Sequence, residues 1–213
     1  MTPITKWAGP LCLAAAALVV TSELLRLLRG LTSRPGSETT LAHMLTYGLA
    51  LGGMCALLLA LTVLYFRDQR ALSVLGLVGY LIAGIGTVLV AGDWWFEAFA
   101  VPTIGVVAPQ VLTLPPGGSV LAGAIITAGL FAVGWITFGV AAFRSGAHSR
   151  PACVLLTVGG TCGVLALSTP YQVPLAVAVG WIGYTLMPSR RAPVAGTGRS
   201  ISTVVAGQLS RRR

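Results

Sequence analysis

Of the five acidic residues in this 213-residue chain, two stand four apart, in the segment Asp93-Trp94-Trp95-Phe96-Glu97. Three aromatic rings lie between them, at the end of an apolar run of about twenty residues, the length that crosses a bilayer. Ionisable groups at such a boundary are costly and mark a candidate site. On a helix, positions i and i+4 share a face, so the two carboxylates repel and titrate as a unit that shares one proton. Such a pair can serve as a general acid, a proton-coupling site or a cation ligand, which makes Asp93 and Glu97 the candidate catalytic residues. The competing readings are solvated acids at a span end, or acids neutralised by Arg26 or His43.

Around that pair the chain offers groups that can bind rather than react. Trp94 and Trp95 present aromatic faces to a cation or an apolar body. They also fit an interfacial aromatic belt. His43 and Tyr47 stand at the same end of the preceding apolar run, and Gln110 follows the acidic segment, so all three join the candidate substrate-binding residues. Glu23, Arg26, Tyr171 and Gln172 fall at that end too, Tyr171 and Gln172 reading most simply as a turn. No second histidine supports a metal site beside His43, so no metal is expected. No GxSxG, HExxH, P-loop or dinucleotide fingerprint occurs, so those hydrolase, protease and nucleotide chemistries have no support and no cofactor is expected. Cys12, Cys55, Cys153 and Cys162 all lie in apolar runs without ligand spacing and read as packing residues.

These residues must be positioned by membrane helices. The chain is 55% hydrophobic and only 9% charged, with a mean hydropathy of +0.87. A soluble domain carries about 25% charged residues. The apolar runs are continuous and lack the alternation of a β-barrel. The expected fold class is therefore all-α, an integral membrane helical bundle of six spans, at 8–28, 41–66, 72–92 (running on helically to about 100), 119–143, 152–168 and 173–187. Residues 93–118 form the one long connection, apolar and broken by prolines, with Ser119 as N-cap of the fourth span. Residues 188–213 read as a disordered basic cytoplasmic tail whose arginines meet anionic lipid headgroups. The first span has the look of a signal peptide, but its apolar run continues to Leu28 without a clean cleavage site, so a retained helix is expected.

The +9 net charge sits at span ends and in the tail, not in a stripe interleaved with exposed aromatics, so no nucleic-acid partner is expected. With the N-terminus inside, eleven Lys and Arg residues fall on the cytoplasmic side and three (Arg26, Arg29, Arg34) outside. That satisfies the positive-inside rule with both termini cytoplasmic in a multi-pass cell-membrane protein, and it puts Asp93 and Glu97 at the outer end. Small residues mark the packing faces. Gly79, Gly86 and Asp93 recur every seven residues, which aims the acids into the bundle and displaces Trp94 and Trp95 toward lipid or the loop. Gly48, Gly52, Ala56 and Ala60 form a second ladder, the expected partner of the third span.

The string Gly92-Asp93-Trp94-Trp95-Phe96-Glu97-Ala98-Phe99-Ala100-Val101-Pro102 resembles a hallmark of uncharacterised small multipass inner-membrane proteins of actinobacteria. Gly134-Trp135, Phe138-Gly139-Val140-Ala141, Arg144, Arg150-Pro151 and Gly183-Tyr184-Thr185-Leu186 fit the same pattern. The resemblance implies the architecture and a bacterial inner membrane, and no activity. In size, span count and reliance on isolated acids the chain is also similar in design to the small integral-membrane terpene cyclases, though no stretch matches them. The expectation is an outward acidic and aromatic site that binds or acts on a lipophilic or cationic small molecule. Its alternatives are an intramembrane enzyme using Asp93 and Glu97 as general acid on a lipid or isoprenoid, and a small transporter or accessory subunit. Membrane lipids are the expected partners.

Overall fold

The computed structural model describes residues 6–32, 39–115, 117–163 and 171–187. Among them there is no strand. Helix α1 spans Ala8–Thr32, α2 Leu41–Asp68 and α3 Val74–Trp95. A π-helical turn, Phe96–Ala100, joins α3 to α4, Val101–Val107, and a 3-10 turn follows at Pro109–Thr113. Then come α5, Gly118–Ser145, α6, Arg150–Cys162, and α7, Val173–Leu186. Thr40 caps α2, its hydroxyl accepting from the His43 N–H. Gly146, at φ 66°, ends α5 in the left-handed conformation that glycine adopts without strain.

Among the described residues, four helical segments are long and apolar enough to cross a membrane: Ala8–Thr32, Leu41–Asp68, Val74–Val107 and Gly118–Ser145. Helix α7 is apolar but shorter, and α6 has 13 residues. The expected fifth span runs past α6 into residues outside those described, as does the whole expected tail. The third segment departs most from expectation. Residues 93–107 are not a loop but a helical continuation of α3, well past 92 and past 100. Pro102 does not stop it, because the wide turn before it re-pairs the backbone: the Val101 N–H bonds Phe96 O, five residues back. A proline in the first turn after such a break leaves no donor that the helix needed. Ser119 lies inside the first turn of α5, and Gly117 occupies the N-cap instead.

The helices pack as a closed ring in chain order. Helix α1 lies against α2, α2 against α3, α3 against α5, α5 against α6, α6 against α7, and α7 returns to α1. Large side chains fill the middle, among them Leu57, Phe131, Trp135, Phe138 and Leu156, all buried. Trp135 donates its indole N–H to Thr87 Oγ1 at 3.2 Å, which pairs the one polar atom of a fully buried ring. Outside, Leu27, Leu81, Ile85 and Ile125 stand exposed, the outward apolar surface of a helix bundle meant for lipid.

Small residues set the ring's tightest contact, but with a different partner from the expected one. A Cβ on Gly79 would stand 2.6 Å from Phe138 N, and those on Gly86 and Gly134 would run still closer into the backbones at Phe131 and Ala83. The glycines of the α3 stripe therefore pack on α5, not on α2. The Gly48 and Gly52 positions of the second ladder face open space, and it is Gly53, one position round, that meets Val19 of α1. A spacing of four marks a face and not its occupant, so only the closure of the ring decides which ladder is used.

Candidate functional site

The polar residues gather where α1 and α3 end and α2 and α5 begin. Glu23 and Arg26, one turn apart on α1, form an ion pair at 2.5 Å between Oε1 and a guanidinium nitrogen. Both are buried, at 1% and 8% exposure. Arg26 lies over the Trp94 ring, its Cζ 4.0 Å from the centroid, and 5.8 Å from that of Tyr47. Tyr47 packs between His43 and Trp94, with ring centroids 4.5 Å and 5.8 Å away. His43 donates through Nε2 to the Glu97 backbone carbonyl at 2.9 Å and stands 3.8 Å from the Glu97 carboxylate. One continuous chain of contacts thus runs from Glu23 through Arg26, Trp94, Tyr47 and His43 to Glu97, tying α1, α2 and the π turn together.

This arrangement corrects the expected aim of Trp94. Its side chain is buried at 2% exposure, not displaced toward lipid or loop, while Trp95 is 55% exposed and pairs with Phe99. The reason is geometric. The buried stripe of α3 includes Gly79, Ala83, Gly86, Val90 and Trp94, and it faces two neighbours. At 100° per residue, Asp93 turns toward α5 and Trp94 toward α2. Trp94's ring face is occupied by the chain's own arginine, a cation–π contact worth about 2 kcal/mol when desolvated.

Asp93 and Glu97 consequently look into different surroundings. Asp93 lines a groove of about 230 Å³ between α3 and α5, walled by Leu89, Val120, Gly123, Ala124 and Thr127. Its carboxylate makes no hydrogen bond or ion pair among the described residues, though the field of Arg26 reaches it. Glu97 sits half-buried against His43 on the α2 side. Trp95 and Phe96 keep ordinary helical dihedrals, so the two carboxylates remain one turn apart and within each other's electrostatic reach although their neighbours differ. Gln110 is exposed on the 3-10 turn.

The spacing of charges flagged Asp93 and Glu97 but missed how much of the site is Glu23 and Arg26. Their signal was an acid and a base three apart inside an otherwise apolar run, the spacing of a helical ion pair. Glu23 Oε2 and Trp94 Nε1 are buried in this cluster without a hydrogen-bond partner among the described residues. Among the same residues no group of three or more His, Cys, Asp or Glu is placed to hold a metal ion. At the opposite end of the bundle His148 Nε2 stands 3.0 Å from Asp68 Oδ2, an ion-pair distance without hydrogen-bond alignment. No protein-family model matches this chain, and neither a curated protein nor a solved structure proves similar to it.

Proposed function

We propose that this is a multipass inner-membrane protein, both termini cytoplasmic, which binds a lipophilic cation in the α3–α5 groove with Asp93 as the counter-charge. One observation carries the reading: a carboxylate without a partner among the described residues lines a groove whose other walls are chiefly apolar. A charge so placed favours a ligand that brings an opposite charge on an apolar body. Arg26 does not take this role, because its guanidinium is already paired with Glu23 and stacked on Trp94. The distribution of Lys and Arg supports an orientation with the groove in the outer half of the membrane.

The test is equilibrium dialysis of tetraphenylphosphonium, a hydrophobic cation, against the purified protein in neutral detergent. Asp93→Asn should weaken binding about tenfold, since loss of one close charge pair in a partly apolar site costs at least about 1.4 kcal/mol. Trp95→Ala, on the outer face, should leave affinity within about threefold, or about 0.7 kcal/mol. Parental affinity in a correctly folded Asp93→Asn protein would refute the proposal.

A further inference from the structure

A second groove lies at the other end of the bundle, between α5 and α6. It has a volume of about 220 Å³ and is lined by Val140, Phe143, Val154, Thr157 and Val158. The one polar group among these, the Thr157 hydroxyl, is turned back to the Cys153 carbonyl of its own helix. The walls are therefore hydrocarbon. Each wall also carries an arginine in register. Arg144 follows Val140 by four residues on α5, and Arg150 precedes Val154 by four on α6. Four residues advance a helix by about one turn, 6 Å, and return to within about 40° of the same face. The two helices are joined end to end by the turn at 146–149, so both arginines stand one turn above the groove, at the same end of it. Both are exposed, and neither makes an ion pair or hydrogen bond among the described residues. The nearby carboxylate, Asp68, is engaged by Arg67 at 3.9 Å and His148 at 3.0 Å.

We infer that this groove is a binding site for an anionic phospholipid, one acyl chain lying along the valines and Phe143 and the phosphate held between Arg144 and Arg150. The charge complements a phosphate, and the apolar walls beneath it complement a chain. Neither half alone specifies such a ligand. A free phosphate would lack the apolar contact, and a zwitterionic lipid would bring an ammonium that opposes the two arginines. The site needs only that the helices lie in lipid, and it shares no residue with the Asp93 groove, so the two readings fail separately.

The experiment measures thermal stability of the full chain in neutral detergent with added phosphatidylglycerol, with phosphatidylcholine of the same chains, or with inorganic phosphate. The parent should bind phosphatidylglycerol roughly ten- to thirtyfold more tightly than phosphatidylcholine, as expected for two arginines near a phosphate. Inorganic phosphate at equal concentration should give no shift. The double variant Arg144→Gln, Arg150→Gln should lose the preference while keeping the melting temperature of the lipid-free parent. Val158→Trp, which fills the groove and keeps both arginines, should lose it too. Tail substitutions at Arg211, Arg212 and Arg213 should leave it intact. Persistence of the preference in the double variant, its loss on changing the tail alone, or an equal shift with inorganic phosphate would overturn the assignment.

Discussion

Replacing Glu23 by Gln keeps the shape of the α1 ion pair and removes its negative charge. Arg26 is then left at 8% exposure, held by the faces of Trp94 and Tyr47 but without its carboxylate. Breaking a buried pair from one side costs about 3–5 kcal/mol, because the desolvation of the remaining ion is no longer repaid. The aromatic contacts offset part of this, at about 2 kcal/mol for a desolvated cation–π pair, but they exist in the parent too and so do not reduce the difference. For a chain of this size, about 2–4 °C of melting temperature accompanies each kcal/mol, so Glu23→Gln should lower it by roughly 6–20 °C. Arg26→Met leaves the opposite orphan, a carboxylate at 1% exposure, and should be as damaging. The doubly changed protein removes both charges and should recover most of the loss, since apolar replacement of a whole buried pair is often neutral or stabilising. The assay is intrinsic-fluorescence melting in detergent, arranged as a double-mutant cycle. If both single variants melt within about 2 °C of the parent, roughly 1 kcal/mol or less, the pair is hydrated and the reasoning from burial is wrong.

Three further outcomes are expected. Gly86→Leu should destabilise by at least about 1–3 kcal/mol, because the side chain has only the α5 backbone at Phe131 to enter, whereas Gly52→Leu should melt within about 0.5 kcal/mol of the parent; equal behaviour would sink the α3–α5 contact. Thr87→Val keeps volume but takes the acceptor from the buried Trp135 N–H, and should cost about 1–3 kcal/mol in the same melt, with Thr87→Ser largely neutral; a neutral Thr87→Val would show that the indole finds another partner. Cysteines placed at Thr113 and Gln69, both exposed and at opposite ends of the bundle, should react with an impermeant maleimide from outside and inside the cell respectively, and the reverse pattern would place the Asp93 groove in the cytoplasmic half.

Much of the architecture is legible in the amino-acid sequence. Long apolar runs without period-two alternation can satisfy their backbone in lipid only as helices, so the all-α class follows from composition and run length. The buried side of α3 was legible too, because Gly79 and Gly86 recur every seven residues and both turn inward. The local signals failed where two neighbours compete for one helix. The Gly48 and Gly52 ladder has the same spacing as Gly79 and Gly86, yet only the latter meets a backbone, since ring closure puts α5 and not α2 against that face. Trp94 reads as an interfacial ring from its position in the run, and becomes the shelf for Arg26 only because α1 and α2 converge beside α3. Pro102 reads as a stop, and a five-residue hydrogen bond at Phe96 carries the helix past it. Asp93 and Glu97 look like one pair in the linear pattern. The two flanking helices give them different neighbours, one in a groove with α5 and one against His43, though each still lies in the other's field. Sequence spacing thus determined which residues are costly to bury, because that cost depends on residue type and on the surrounding run. Only the tertiary structure decided which of them are paired, because pairing depends on helices that are distant in the chain and adjacent in space.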